Sequence, residues 1–190
     1  MACTFLNFLA SLLCNYILSS GYTFEKKVAG KFLGEIVRLS LVQLNQKKLF
    51  MSNHQKLFQP LTIKDAFTAA MVSKIMEDKT NTKTELLSLG IEQLDDESCK
   101  IIEYVCALVS ERAGLLVAVP MATFIERMYW KSHVAIAVTG SVYKYHPTMK
   151  AILEKYISKM VPNRSFHTFL SDDGSGKGAG LVAAIANRLN

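Results

Sequence analysis

The sequence predicts an α/β chain that is rich in helix and poor in strand. Three observations carry this. Apolar residues recur at helical spacing through most of the first 130 positions. A short β-branched run, HVAIAV, appears at 133–138, and a second short apolar run, SFHTFL, at 165–170. Helical patterns flank both runs, so the strands are too few for a complete sheet.

The elements follow in order. From Phe24 to Phe50 the apolar positions Phe24, Val28, Phe32, Ile36, Leu39 and Leu44, with Lys and Glu between them, predict one long amphipathic helix. Thr62, with Asp65 three residues on, resembles a capping box and predicts a second helix running to about Asp78. A short helix over 83–89 should stop at Gly90. Asp95 and Asp96 cap a third long helix over 97–129, nearly two-sided in its apolar residues. Pro120 lies inside it, where a lost backbone donor and a clash with the preceding turn cost about 3 kcal/mol, so a kink or break is expected there. His133–Val138 reads as a strand, Gly140–Ser141 as a tight turn and Val142–Tyr145 as a returning strand. Pro147 opens a helix to about Met160, 165–170 is a further strand, SDDGSGKG is a turn, and Ala179–Leu189 is the last helix.

With 190 residues, half of them hydrophobic, the chain can build one domain with a real core. Its net charge of +6 is spread without a dense Lys/Arg cluster interleaved with aromatics, so it reads as a solvated surface and no nucleic-acid partner is expected. The cysteines Cys3, Cys14, Cys99 and Cys106 form no CxxC pair and no metal-ligand spacing. Buried reduced thiols, suited to a cytoplasmic protein, are the expectation. Residues 1–21 form an uncharged, apolar segment. Length permits a signal peptide or a marginal membrane helix, but a positive n-region is missing and Asn and Ser dilute the run. A buried or irregular segment is the preferred reading.

The stretch FLSDDGSGKGAGLVAAIA, 169–186, carries the most chemistry. Its glycines Gly174, Gly176 and Gly178 let backbone approach a ligand closely, and a helix start offers unpaired N–H groups and the positive end of a dipole. Lys177 adds a cation. This is no Walker A loop, since Ser171 and Gly178 stand where Gly and Ser/Thr are needed, and no GxGxxG, since Ala179 replaces the third glycine.

Three segments together resemble the eukaryotic hexokinase and glucokinase family: SDDGSGKGAGLVAAIA, AVTGSVYKYHPTMKAIL and YTFEKKVAGKFLGEIVRLSL, in the family's order and over residues 22–190. The resemblance implies part of an actin-like, ribonuclease H-like ATPase domain. It implies phosphorylation of a hexose such as glucose at its 6-hydroxyl, with Mg2+-ATP as phosphoryl donor and the magnesium held through the phosphates with no protein ligand assigned. Glu25 matches the glutamate that hydrogen-bonds hexose hydroxyls. Gly30, Lys31 and Ser73 match nucleotide contacts, and Gly174, Ser175, Gly176, Lys177, Gly178 and Ala179 match the nucleotide loop. Asp172 and Asp173 flank that loop, as helix-capping or ribose-contact residues.

Departures accompany the likeness. Ala69 replaces a threonine that touches ATP, Thr139 replaces an aspartate, Pro120 interrupts a helix, and Ser19, Ser20 and Gly21 replace an N-P-G turn. The family's D-x-G-G-T phosphate loop and the small domain with the catalytic aspartate have no counterpart in residues 1–21. The chain is therefore expected to lack the catalytic half, with no catalytic residue and no metal ligand assignable. The alternatives are a non-catalytic nucleotide- or sugar-binding regulatory module, and an interaction protein anchored to a membrane by residues 3–20. The expected location is the cytoplasm or the mitochondrial outer surface.

Overall fold

The computed structural model describes residues 23–51, 55–129, 133–172 and 174–189. The apolar segment 1–21 and Asp173 lie outside the described residues. The helix expected over Phe24–Phe50 is two: α1 (Thr23–Val28) and α2 (Gly30–Gln46), separated at Ala29, whose backbone is extended at φ −70° and ψ 146°. The break sets Gly30 at the amino end of α2 against Val142, so closely that a β-carbon on Gly30 would lie 2.6 Å from Val142 Cγ2.

A four-residue helix α3 (Gln55–Phe58) and a 3-10 turn (Gln59–Thr62) follow. The second helix does not start at Thr62. It is α4 (Ala69–Glu77), capped by Thr68, whose hydroxyl accepts from the Met71 N–H. The groups a helix needs at 62–65 are already committed. The Arg38 guanidinium takes the carbonyls of Leu61 and Thr62, and the Glu35 carboxylate takes the Asp65 N–H. Asp65 itself sits at φ 61°, in the left-handed region.

Helix α5 (Asn81–Leu87) ends before Gly90, whose φ of 84° suits a residue without a β-carbon. Helix α6 (Asp96–Arg127) begins where Asp95 accepts from the Ser98 N–H. It runs unbroken through Pro120, with Ala118 and Ala122 buried on either side. Packing against its neighbours outweighs the missing hydrogen bond. By length and composition α6 could cross a bilayer, but half of its most apolar window is buried within this fold. Cys99 and Cys106 are buried on it.

The remaining elements are β1 (Val134–Val138), α7 (Ser141–Tyr145), α8 (Met149–Met160), β2 (Phe166–Leu170) and α9 (Gly174–Leu189). The β-hairpin expected at 133–145 is absent, because the segment after Gly140 is a helical turn. Lys144 N–H bonds to the Gly140 carbonyl and His146 N–H to that of Val142. The partner of β1 is β2, in parallel, with Val134 opposite Phe166 and Val138 opposite Leu170. Parallel strands need a crossover, which α7 and α8 supply. Nor is GSGKG a loop: the glycines form the first turns of α9.

Helix α6 lies at the centre, with α8 along one side and α1, α2, α4 and α5 also in contact with it. Val37, Leu41, Phe67, Val72, Ile102, Cys106, Val109 and Ile157 make up the innermost core. Strand β2 lies on α8, and β1 pairs with β2.

Candidate nucleotide-binding site

A pocket of about 380 Å³ opens between α2, α4 and α7. That volume falls within the range of small-molecule sites. Helix α2 contributes Gly30 and Leu33. Helix α4 contributes Ala69, Ser73 and Glu77 at i, i+4 and i+8, with Ala70 and Lys74 beside them. Helix α7 contributes Ser141, Val142 and Tyr145. The walls are mostly apolar, with a few hydroxyls. Ser73 Oγ donates to the Ala69 carbonyl at 3.1 Å. The Lys74 ammonium is neutralised by Glu85, 2.7 Å away.

The carboxyl ends of the two strands meet beside this pocket, where parallel sheets usually bind ligands. Ser171 N–H bonds to the Val138 carbonyl at 2.9 Å, tying the two ends together. After β1 the chain turns at Gly140, whose φ of 129° few other residues adopt, and enters α7. After β2 it passes Ser171 and Asp172 and enters α9. Lys144 on α7 pairs with Asp172 at 3.2 Å, and Lys177 donates to the Asp172 carbonyl at 3.1 Å. The amino end of α9 is thereby tethered to α7.

The sequence-expected residues thus fall into four groups. Gly30 and Ser73 share the pocket, with Ala69 at the position of the missing threonine hydroxyl. Lys31 is exposed next to Gly30, its ammonium 5.8 Å from the Phe32 ring centre. Ser175, Gly176, Lys177, Gly178 and Ala179 are exposed on the first turns of α9 and, with the half-buried Gly174, do not line the pocket. Glu25 is exposed on α1, which packs against α2 and α6, and it too is outside the pocket.

Sequence reasoning missed Leu33, Ala70, Lys74, Glu77, Ser141, Val142 and Tyr145. For α4 the i, i+4 spacing from Ser73 was a usable signal. For α7, reading VYKY as a strand hid the face that joins 141, 142 and 145. A larger cavity of about 530 Å³, lined by Met51, Lys83, Ile91 and Asp95 among others, gathers none of the motif residues. The smaller pocket is the stronger candidate because three separate motif segments converge on it.

The pocket's chemistry fits a nucleoside: apolar walls for a base and hydroxyls for a ribose. Among the described residues no group of three or more His, Cys, Asp or Glu side chains gathers to hold a metal ion.

This arrangement has counterparts among known proteins. Over 174 residues the chain is 35% identical to Hexokinase-1 of Homo sapiens and 36% identical to Hexokinase-2 of Rattus norvegicus, covering 87% of this chain. It spans 19% of the length of each of these relatives. The structure of a hexokinase from Schistosoma mansoni complexed with glucose matches with a TM-score of 0.81 at 28% identity, over 92% of this chain and 41% of that one. A further hexokinase crystal structure, at 21% identity and a TM-score of 0.72, covers 86% of this chain and 38% of its own, and shows the fold alone. The shared architecture is that of the actin-like ATPases, of which this chain has the helix-rich part with a two-stranded parallel sheet. The Hexokinase family model matches residues 17–185, and with that match the chain belongs to the hexokinase family.

Proposed function

We propose that this chain forms the adenosine-binding part of an ATP-dependent hexose kinase, and that by itself it binds nucleotide without turning it over. One observation carries the reading: Gly30, Ser73 and Ser141, from three segments that resemble the family's motifs, line one pocket. The base lies against Leu33, Ala69, Ala70 and Val142, and the hydroxyls of Ser73 and Ser141 meet the ribose. Gly30 keeps the floor open, since a side chain there runs into Val142. The exposed first turns of α9 present N–H groups toward the anionic end. Glu25 accepts hydrogen bonds from hexose hydroxyls, a role that suits a carboxylate. Bound Mg2+-ATP would supply the phosphoryl group. The reaction also needs a base for the sugar hydroxyl and closure around the sugar, and no carboxylate in the matched motifs fills the role of that base.

Titration with a fluorescent adenine nucleotide tests the proposal. Wild-type chain is expected to bind saturably. Gly30→Val and Ser73→Phe, which fill the pocket, should each weaken binding at least tenfold while leaving the circular dichroism spectrum unchanged. Equal affinity in all three proteins would overturn the assignment. A coupled assay with glucose and Mg-ATP is expected to give no turnover from this chain alone, and measurable turnover would refute the non-catalytic part of the proposal.

A further inference from the structure

The solvent face of the β1–β2 sheet carries a side-chain cluster that the nucleotide site does not use. Ala135 and Ala137 from β1 and His167 and Phe169 from β2 are all exposed. His133 stands just ahead of β1, two residues from Ala135 and so on the same face. Because Val134 pairs with Phe166 and Ala135 with His167, His133 is set opposite Ser165 and diagonal to His167. The side chains meet: His133 Nε2 lies 2.6 Å from His167 Nδ1, and His133 Nδ1 lies 2.6 Å from Ser165 Oγ. The two rings are nearly parallel, at 12°, with centres 4.9 Å apart, and His167 also stacks on Phe169 at 5.7 Å. The cluster lies toward the opposite end of the sheet from the carboxyl ends that feed α7 and α9, with His133 ahead of β1 and His167 the second residue of β2.

Two neutral imidazoles can make so short a nitrogen–nitrogen contact only by sharing one proton, donated by one ring and accepted by the other. Ser165 engages the far nitrogen of His133 and leaves Nε2 facing His167. With its hydroxyl accepting from Nδ1–H, the Nε2 lone pair points at His167. In the His167 tautomer that carries its proton on Nε2, both facing nitrogens, His133 Nε2 and His167 Nδ1, present lone pairs to one point. That is a donor set for a divalent transition-metal ion, since imidazole suits zinc, copper and nickel. Metal–nitrogen bonds of about 2.0–2.1 Å hold two ligand nitrogens roughly 3 Å apart, so the rings need open by less than about 1 Å. Exposed side chains achieve this by small χ rotations. The Ser165 hydroxyl on the far nitrogen is the kind of outer partner that metal-binding histidines keep to fix ring orientation.

We propose that His133 and His167 form a two-histidine chelate for a divalent transition-metal ion, with Ser165 orienting His133 and water completing the coordination. The ion would bridge the amino ends of β1 and β2. The site is independent of the nucleotide pocket and stands or falls without it.

Isothermal titration of the full, untagged chain with Ni2+ provides the test, since nickel favours imidazole over the hard oxygen donors of the surface. One ion per chain is expected to bind in the micromolar range. His133→Ala and His167→Ala should each weaken binding at least tenfold, Ser165→Ala by up to roughly tenfold, and His54→Ala not at all. Ni2+ should also raise the melting temperature of the wild-type chain and of the His54 variant, but not that of His133→Ala. His133, Ser165 and His167 are exposed, and circular dichroism confirms that each variant is folded. Absence of Ni2+ binding by the wild-type chain would overturn the proposal. So would binding that survives in either single variant, or binding that depends on only one of the two histidines.

Discussion

Glu35 and Arg38, three residues apart on α2, form a buried ion pair, and its disruption should be felt both in stability and at the pocket. The pair is bidentate, with Arg38 Nε donating to Glu35 Oε2 at 2.7 Å and NH2 to Oε1 at 2.6 Å. Only 6–7% of either side chain is exposed. Arg38 also donates to the Leu61 carbonyl at 2.9 Å, and Glu35 accepts from Asp65 N–H at 2.8 Å. The pair therefore ties α2 to the turn that leads into α4, and both helices line the candidate pocket. Burial by itself would raise the Glu35 carboxyl. The hydrogen bonds from Arg38 and Asp65 and the charges of Arg38 and Lys64 more than offset it and hold the carboxyl below its usual range. Arg38→Met leaves that carboxylate buried without its counter-charge, at a cost of about 3–5 kcal/mol, a large share of the roughly 5–15 kcal/mol that holds a domain together. The double variant Glu35→Leu/Arg38→Met strands no charge. It removes the partners of the Leu61 and Thr62 carbonyls and of the Asp65 N–H; Leu61 is the buried one of the three residues, and its unpaired carbonyl costs about 1–3 kcal/mol. Urea denaturation at neutral pH followed by circular dichroism should therefore rank wild type first, the double variant next and Arg38→Met last. A double variant whose loss equals the sum of the two single losses would refute the reasoning, because the residues would then be acting independently.

Two further perturbations test other features of the fold. His146 is buried, with Nε2 on Ser110 Oγ at 2.9 Å, and burial pushes its imidazole down to about 4 from an ordinary 6.5. A depressed pKa in the folded state means stability that is complete above pH 6.5 and is lost as pH falls toward 4. The full loss is about 3 kcal/mol. The urea midpoint should fall between pH 6.5 and 4.5, above the range in which Glu35 protonates, and a flat profile there would contradict the burial of a neutral ring. Pro120 leaves the Leu116 carbonyl of α6 without its helical donor, so Pro120→Ala should stabilise the chain by up to about 3 kcal/mol. A lower midpoint in urea would show that the proline ring makes packing contacts worth more than the missing bond.

The longer helices and both strands were legible in the sequence because their patterns are long or bounded by strong signals. Asp95 caps α6, Gly90 follows α5, and VAIAV is a strand. What failed did so where a tertiary contact decides the local conformation. The Thr62-x-x-Asp65 pattern is a fair capping box, yet Arg38 and Glu35, more than 20 residues away, hold its carbonyls and its N–H. Five residues of SVYKY carry too little periodicity to separate strand from helix. The outcome depends on β1 finding its partner in β2 across the intervening α8. Of the site, Gly30 and Ser73 could be named because their segments resemble known motifs. The convergence of α7 on them is a property of the crossover, and no single segment encodes it.

Which end of a nucleotide the proposed site would hold best follows from where the cations around it already are. Lys74 is paired with Glu85, Lys144 is paired with Asp172, and Lys177 donates to the Asp172 carbonyl. Triphosphate binding through any of these must displace an existing partner. Lys31 differs: it is exposed at the amino end of α2, next to the pocket residue Gly30, and among the described residues its ammonium makes a ring contact with Phe32 but no ion pair. Adenosine should therefore provide most of the affinity. ATP should bind more tightly than adenosine only by roughly fivefold or less, the scale of one exposed charge contact. That increment should vanish in Lys31→Ala and shrink at 0.5 M salt, where screening of exposed charges is strong. If ATP instead binds a hundredfold tighter than adenosine, and Lys31→Ala leaves that ratio unchanged, then α9 or the lysines now engaged by carboxylates supply the phosphate contacts and their ion pairs must break on binding.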